Sequence, residues 1–222
     1  GQQLYSTFIE QQRYLMLLDG FKNTLIITFG ALLIGIVLGT AVAVIKFLAE
    51  EKAALRPLAW LCNLYVTVVR GIPVVVLLLI FYFVILRSAD GIVTGIVAFG
   101  INSGAYMAEI IRGGIQSVDK GQMEAARSLG LPYWRAMYRV VLPQAIRTMI
   151  PSIINQFIIT LKDTSILSVI AFPELTLIGK TISGNTLKPL QSWAIVGVMY
   201  MIVIITLSKL AKRIERRVNR GR

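Results

Sequence analysis

Eight polar or charged side chains interrupt stretches of this sequence that are otherwise strongly apolar: Arg70, Asn102, Glu109, Asn155, Gln156, Thr160, Lys162 and Asp163. Such groups are unfavourable in apolar surroundings unless they have partners, and in membrane segments they usually mark the path of a polar solute, an ion or a proton. Amides, hydroxyls and charges of both signs can bind a small charged molecule through hydrogen bonds and ion pairs. They are therefore our candidate solute-pathway residues.

Two pairs of these residues have the spacing of a single helix face. Asn155 and Lys162 are seven residues apart, and so are Asn102 and Glu109. Side chains at this spacing lie one above the other over two helical turns. For Glu109 there is a second interpretation, in which it forms an ion pair with Arg112, three residues later.

Gln156, Thr160 and Asp163 form another set, at spacings of four and three residues. This spacing also places the three side chains on one helix face. For Lys162 and Asp163 the alternative is a position at the outer membrane surface, where they pair with each other or extend toward water.

Arg70 stands beside Gly71 and Pro73, at a point where a helix is easily interrupted. The pattern predicts either a kink that belongs to an inner gate or an arginine that anchors its helix through a buried polar contact.

Several classes of catalytic and metal site are excluded by residue content. The sequence has no His and a single cysteine, Cys62, so a His-based triad, a His or Cys metal site and an internal disulfide cannot form. It also lacks the G-x-x-x-x-G-K-[ST] motif that cradles nucleotide phosphates. We predict no catalytic residue, no metal site and no cofactor on this chain.

The composition is that of a protein embedded in a lipid bilayer. Hydrophobic residues make up 56% of the 222 residues, charged residues only 15%, and the mean hydropathy is +0.72. The net charge of +12 raises the question of nucleic acid, but the basic residues flank apolar stretches, which is the usual pattern in membrane proteins. No nucleic-acid partner is predicted.

The predicted fold is all-α, a polytopic membrane bundle of five transmembrane helices within residues 21–208. About 20 apolar residues are needed to cross the hydrocarbon core. The predicted spans are 24–45, 58–86, 91–112, 144–170 and 189–208. An amphipathic segment at the membrane surface (1–20), a polar loop (119–143) and a basic tail (209–222) complete the division.

The distribution of basic residues predicts the orientation. With five spans, one set of loops and the C-terminal tail hold 16 of the 23 Lys and Arg residues, the other side holds 6, and Arg70 lies within a span. Because basic loops stay in the cytoplasm, the loop at 119–143 and the C-terminus are predicted to be cytoplasmic, and the N-terminus external.

Glycines recur at four-residue spacing in three places: Gly35 and Gly39, Gly91 and Gly95, Gly100 and Gly104. Such pairs form narrow helix faces that allow close approach of another helix. Glycine is also generally frequent in membrane helices, so the pairs alone name no partner.

The loop at 119–143 has its own helix signals. Asp119 suits the N-cap of a helix over 120–129, and Gly130 suits the left-handed residue that ends it. Pro132 suits the first turn of a second helix that runs to about Arg139. Two functions fit such a compact element: docking of another protein, or an interfacial helix pair with Trp and Tyr at the headgroups.

The same loop resembles the EAA loop of bacterial ABC importer permeases. The matching positions, at the family's spacings, are Glu124, Ala125, Ala126, Gly130, Val140, Leu142 and Pro143, with Val140 in place of the usual Ile. The chain is most similar to the five-span permeases of polar amino-acid uptake systems. The supporting stretches are NTLIIT (23–28), VVRGIPVVV (68–76), INSGAYMAEIIRGGIQSVDKGQ (101–122) and LKDTSIL (161–167).

The resemblance implies a multi-pass subunit of the bacterial inner membrane that moves solute by alternating access. Its implied partners are two copies of a cytoplasmic ABC ATPase, which carries ATP and Mg²⁺, a second identical or homologous permease subunit, and an external solute-binding protein. Glu124 would make a polar contact with the ATPase, and Gly130 would allow the sharp turn. The small side chains of Ala125 and Ala126 would let the ATPase approach the docking face closely. Within this class, the sequence names no particular amino acid.

Other classes of membrane protein fit less well. A self-sufficient secondary transporter or channel is the alternative, with the loop as an interfacial anchor. The sequence shows no internal repeat of the kind common in secondary transporters and no ring of pore charges. A membrane-embedded enzyme is disfavoured by the residue content.

Overall fold

The computed structural model describes residues 12–219, and within these residues the chain is helical, with no strand. The all-α prediction is confirmed. The helices are α1 (Arg13–Glu51), α2 (Arg56–Gly71), α3 (Val74–Ile80), α4 (Gly91–Gln116), α5 (Lys120–Ser128), α6 (Tyr133–Ala136), α7 (Leu142–Asp163), α8 (Leu175–Thr186) and α9 (Pro189–Asn219). Single π-helical turns follow α3 and α6, and 3₁₀ turns precede α2 and follow α7.

Four helical stretches are long and apolar enough to cross a membrane: Arg13–Glu50, Gly91–Gln116, Tyr133–Ile170 and Pro189–Arg217. Counting the bent pair Ala53–Gly71 and Val74–Ile85 as one span gives five. Each long helix extends beyond the predicted apolar window, because hydropathy marks only the lipid-embedded part and charged helix formers continue the helix into water.

The predicted second span, 58–86, is not a single helix. Its two halves meet at an angle of 110°. The break follows from Pro73: its ring disfavours helical backbone at the preceding residue, and Ile72 is extended, with φ −95° and ψ 134°. The helix therefore ends at Gly71 and restarts at Val74, and Arg70 lies in the last turn before the bend.

The two predicted terminal segments also differ from the structure. Residues 1–11 of the predicted amphipathic segment lie outside the described part, while residues 13–20 are the first turns of α1, with Leu17 buried against Leu175, Ile182 and Val196. At the other end, α9 continues as one helix to Asn219, so the described part of the predicted 209–222 tail is helical. Lys and Arg are good helix formers and do not end a helix.

Helix α1 packs closely on α4 at the centre of the bundle. Four of the six glycines with four-residue spacing lie at this contact: Gly35, Gly39, Gly100 and Gly104. A Cβ atom on Gly35 would lie 2.8 Å from the Ser103 Cβ, and one on Gly100 would lie 2.8 Å from the Ile34 Cβ. Gly39 faces Met107 and Gly104 faces Leu38 in the same way. The two small-residue faces therefore oppose each other, which brings the helix backbones together.

We predict that Gly39→Ala destabilises the protein by about 1–3 kcal/mol, as overpacked cores usually do. The new Cβ would lie 2.8 Å from the backbone nitrogen of Ala108, which cannot rotate away. Thermal unfolding of the detergent-solubilised protein measures the effect. Gly184→Ala is the matched control: it lies within α8 with open space around it, and should be neutral or slightly stabilising. Equal unfolding temperatures for both variants would contradict the prediction.

The structure has a further helix, α8, between the last two predicted spans, where no element is predicted. Glu174 caps this helix: its carboxylate accepts hydrogen bonds from the Thr176 and Leu177 amides, both at 2.7 Å. The Tyr200 hydroxyl of α9 lies 3.3 Å from the same carboxylate, and the Leu175 amide donates to Thr24 of α1. Burial raises the pKa of Glu174, and the two amide donors act in the opposite direction. Glu174 thus connects α8 to α1 and α9.

Candidate functional site

The loop at 119–143 begins with the predicted capped helix. The Asp119 Oδ1 atom accepts a hydrogen bond from the Gly121 amide at 2.6 Å, and α5 runs from Lys120 to Ser128. Gly130 has φ +84°, the left-handed conformation that the sequence predicts. The Leu131 amide donates to the Ala126 carbonyl and the Gly130 amide to the Arg127 carbonyl. This is the paired hydrogen-bond pattern of a Schellman C-cap.

The second loop helix differs from the prediction, because it is not a separate element ending near Arg139. It starts after Pro132 and runs through α6 and one π-helical turn, Met137–Val141, directly into α7. Pro143 explains the wide turn: it has no N–H, and its ring would collide with the Arg139 carbonyl in a regular helix. The loop is therefore rigidly continuous with the following membrane helix.

Aromatic and amide contacts hold the loop against the bundle. The Phe47 ring of α1 stacks on Tyr133 with centroids 6.3 Å apart, and meets Trp134 edge-on at 6.1 Å. Across the loop, the Gln144 amide donates to the Gln122 side chain at 3.2 Å and to the Val140 carbonyl at 3.0 Å. The α5 helix is thus tied to the base of α7, and α6 to the end of α1.

Of the residues that match the loop motif, six are the predicted contacts with the ATPase, and they differ in exposure. Glu124, Ala125, Gly130 and Pro143 are exposed, Leu142 is half-buried, and Ala126 is only 4% exposed. Ala126 is therefore packed inside the loop, whereas the prediction placed it with Ala125 on the docking face. Apolar side chains that the motif does not include stand open beside them: Leu129 is 85% exposed and Tyr138 73%.

Three of the predicted solute-pathway residues line one cavity. Arg70, Asn102 and Asp163 surround a volume of about 460 Å³ at the bend between α2 and α3, together with Tyr106. Arg70 lies over the Tyr106 ring, 5.1 Å from its centroid. Among the side chains that the structure describes, no carboxylate lies within 4 Å of the Arg70 guanidinium, and no cation within 4 Å of the Asp163 carboxylate. The cavity thus presents separate charges of both signs.

Glu109 lines a second cavity, of about 480 Å³, with Lys46, Asn63 and Thr67. Arg70 and Tyr106 belong to both cavities, so the two are neighbours.

Glu109 also has two cationic partners. The Arg112 guanidinium lies 2.7 Å from its Oε2 atom, which confirms the predicted i,i+3 ion pair, and the Lys46 ammonium lies 3.3 Å from Oε1.

The remaining four candidates lie elsewhere. Gln156 and Thr160 are buried between α7 and α4, where the Thr160 hydroxyl lies 2.8 Å from the Ser103 hydroxyl and Gln156 donates to Thr160. Gln156 and Thr160 thus connect two helices. Of the three residues that the helix spacing placed together, only Asp163 lines the cavity. Asn155 and Lys162 are exposed, and Lys162 forms no ion pair with Asp163 within 4 Å.

Comparison with known families decides which class of membrane protein this geometry belongs to. The profile of the family described as binding-protein-dependent transport system inner membrane component matches residues 32–220, most of the chain. The chain belongs to this family. It is thus a permease of a binding-protein-dependent transport system, located in a membrane that its apolar helices span.

Similar proteins cover nearly the whole permease. The probable glutamine ABC transporter permease protein GlnM of Bacillus subtilis is 40% identical over 93% of this chain and 94% of its own. The glutamine transport system permease protein GlnP of Escherichia coli is 37% identical over 91% of this chain and 92% of its own. A crystal structure of an amino acid ABC transporter with histidines matches with a TM-score of 0.85 at 37% identity, over 95% of this chain and 98% of that chain.

These relatives are permease subunits, which are not enzymes themselves, in agreement with the prediction of no catalytic residue on this chain. The alternative of a self-sufficient transporter does not fit membership of a family that depends on a separate binding protein.

Two residues that line the cavities, Tyr106 and Lys46, are not among the predicted solute-pathway residues. Tyr106 lies four residues after Asn102, on the same helix face, and this spacing was the available signal. Lys46 directly follows the first apolar window, and in the sequence it is only one of the 16 basic residues on the predicted cytoplasmic side. Only the packing of α1 on α4 shows that its ammonium points at Glu109.

Proposed function

We propose that this permease imports polar amino acids, and that a separate ATPase drives it by acting on the loop at 119–143. The observation that carries the proposal is the loop itself: a capped helix, a left-handed Gly130 and a second helix continuous with α7. An exposed, rigid element that runs directly into a membrane helix can transfer a displacement to that helix. A flexible loop would absorb it.

The exposed surface of the loop fits a protein partner. Leu129 at the C-cap of α5 is largely open to solvent, and Glu124 within α5 is exposed as well. Exposed apolar side chains on a rigid polar frame are typical of docking elements. The partner that we propose is a cytoplasmic ABC ATPase that binds ATP and Mg²⁺, with two copies serving two permease subunits, identical or homologous.

The orientation follows from the charge distribution. The loop and the C-terminal end of α9 belong to the side with 16 basic residues, which we place in the cytoplasm of a bacterium. The start of α1 then faces outward, where an external binding protein delivers the solute.

The cavity at the α2–α3 bend supports an amino acid as solute. An amino acid is a zwitterion, so a site at membrane depth needs a cation for its carboxylate and an anion for its ammonium. Arg70 and Asp163 supply these charges in the lining of one cavity, and Asn102 adds an amide. The relatives GlnM and GlnP are glutamine permeases by name, which agrees with a polar amino acid. The proposed solute is therefore a polar amino acid, with no single amino acid specified.

We propose alternating access as the mechanism. ATP-driven closure of the two ATPase subunits would displace the two loops and rock the helices between inward-open and outward-open packings, a two-state rearrangement without a chemical step on this chain. The bend at Ile72 and Pro73 supports this, because it brings a helix end and Arg70 to the cavity.

Co-purification with the candidate ATPase tests the loop assignment. We expect Glu124→Lys to weaken ATPase binding about tenfold, since loss of one charged contact corresponds to roughly 1–2 kcal/mol, and to lower solute-stimulated ATP hydrolysis in liposomes that contain the binding protein. The matched control is Glu215→Lys, the same charge change at an exposed position of α9. If Glu124→Lys binds and hydrolyses like the wild type while both variants insert in the membrane, the loop is an interfacial anchor and the proposal is wrong.

A further inference from the structure

We propose that Lys46, Glu109 and Arg112 form a charge clamp that makes α1 move together with α4 when the loop at 119–143 is displaced. Glu109 is the positioning residue of this clamp. The inference rests on the proposed function, because it concerns how motion of the loop reaches the solute cavity.

Glu109 uses both of its carboxylate oxygens, each toward a different cation. Oε1 lies 3.3 Å from the Lys46 ammonium of α1, and Oε2 lies 2.7 Å and 3.1 Å from two guanidinium nitrogens of Arg112. Arg112 extends the cluster by donating to the Gln116 side chain at 2.8 Å. Gln116 is the last residue of α4, so the clamp reaches the end of the helix that leads into the loop.

The clamp lies beyond the close-packed part of the α1–α4 interface. Gly39 contacts Met107 so closely that no additional Cβ atom fits, and Lys46 follows two helical turns later on α1. From Lys46 onward α1 no longer has glycines to hold it against α4. The ion pair therefore extends the contact between the two helices toward the loop, where small-residue packing has ended.

On another side α4 packs directly on α7, where Met149 lies so close to Gly114 that no Cβ atom would fit. A cavity of about 290 Å³ lies beside this contact, lined by Gly113, Gly114, Ser117, Thr148 and four further residues that include Glu109. One hydroxyl pair, Ser117 and Thr148 at 3.2 Å, bridges this region. A displacement of α7 can thus reach α4 by direct packing, and the Lys46–Glu109 ion pair would transmit it to the end of α1.

The position of the clamp connects this motion to the solute route. Lys46 and Glu109 line the 480 Å³ cavity that also contains Arg70 and Tyr106. A shift of α4 that carries Lys46 with it changes the wall of this cavity. Without the clamp, α4 could move while the end of α1 stays in place.

Partial burial strengthens the attraction between the Lys46 ammonium and the Glu109 carboxylate. The side chains of Lys46 and Glu109 are 21% and 22% exposed, so water screens their attraction only partly. Glu109→Gln leaves the Lys46 ammonium partly buried without its anion, whereas Lys46→Met leaves Glu109 paired with Arg112 alone, and either change by itself breaks the ion pair between α1 and α4. The two residues should therefore behave non-additively in a double-mutant cycle.

The test uses the complete complex of permease, ATPase and binding protein in liposomes, with solute uptake and ATP hydrolysis measured together. The variants are Lys46→Met, Glu109→Gln and the double variant, with Lys46→Arg as the conservative change and Lys52→Met as the control for loss of an exposed cation just after α1. We expect uptake per ATP hydrolysed to fall about tenfold or more in each single variant, as for truncation of a partly buried ion pair. The double variant should be no worse than the poorer single variant, and Lys46→Arg and Lys52→Met should stay close to the wild type.

A purely structural role would give different results. Uptake and hydrolysis falling in equal proportion, or single effects that multiply in the double variant, would overturn the clamp. So would loss of ATPase co-purification in Glu109→Gln, because Glu109 would then act in assembly. If the wild-type permease itself fails to co-purify with the ATPase, the proposed function falls and the clamp falls with it.

Discussion

Replacing Arg70 by methionine should lower solute uptake about tenfold or more, because a hydrogen bond to a charged group contributes about 1.5–3 kcal/mol. The substitution removes the cation that we assign to the solute carboxylate and keeps most of the apolar stem. Arg70 lines both polar cavities and lies over Tyr106 without a carboxylate within 4 Å in the described part of the chain. A cation without an anionic protein partner is available to an anionic group of the solute.

Asp163→Asn should have an effect of the same size, since it removes the anion assigned to the solute ammonium in the lining of the same cavity. Uptake of labelled amino acid into liposomes, at solute concentrations well below and above saturation, separates weaker binding from slower transport. We expect most of the loss at low solute concentration.

Arg87→Met is the control for Arg70→Met. Arg87 is exposed, and its side chain donates to the Phe83 carbonyl at 2.9 Å, away from the residues that line the two cavities. Uptake within twofold of wild type is expected. Full uptake by Arg70→Met together with Asp163→Asn would show that the solute passes elsewhere.

Gly130→Val should reduce ATPase binding about tenfold to a hundredfold. Gly130 has φ +84°, and a β-branched residue in this region stores roughly 1–3 kcal/mol of strain. The loop would relieve the strain by opening the turn, which breaks the hydrogen bonds from Gly130 to Arg127 and from Leu131 to Ala126. The direction of α5 relative to α6 would then change.

Gly130→Asn provides the comparison, because asparagine tolerates the left-handed region far better than valine. We expect it to retain most of the ATPase binding, measured by co-purification, and most of the solute-stimulated hydrolysis. No neighbouring atom lies within 4 Å of a Cβ at this position, so crowding does not complicate the comparison. If valine and asparagine have the same effect, the backbone conformation is not the reason that glycine stands here.

Local features of the sequence were sufficient for the helical class, the approximate spans and the start of the loop. Hydropathy over about 20 residues reports burial in lipid regardless of which helices are neighbours. The Asp119 cap, the left-handed Gly130 and the break at Pro73 are likewise decided by the backbone chemistry of a few adjacent residues. The sequence therefore predicted these features, although Pro73 indicated a kink and not its 110° angle.

Only the tertiary structure decided which side chains share a site. Helix spacing grouped Gln156, Thr160 and Asp163 on one face, but the packing of α7 on α4 buries the first two and leaves Asp163 at the cavity. Ala126 and Ala125 are adjacent in the motif, yet one is buried and the other exposed. Lys46 and Glu109 are 63 residues apart and meet only because glycine faces bring α1 against α4. Spacing determines which residues point the same way along one helix, whereas the neighbour that they meet depends on contacts distant in sequence.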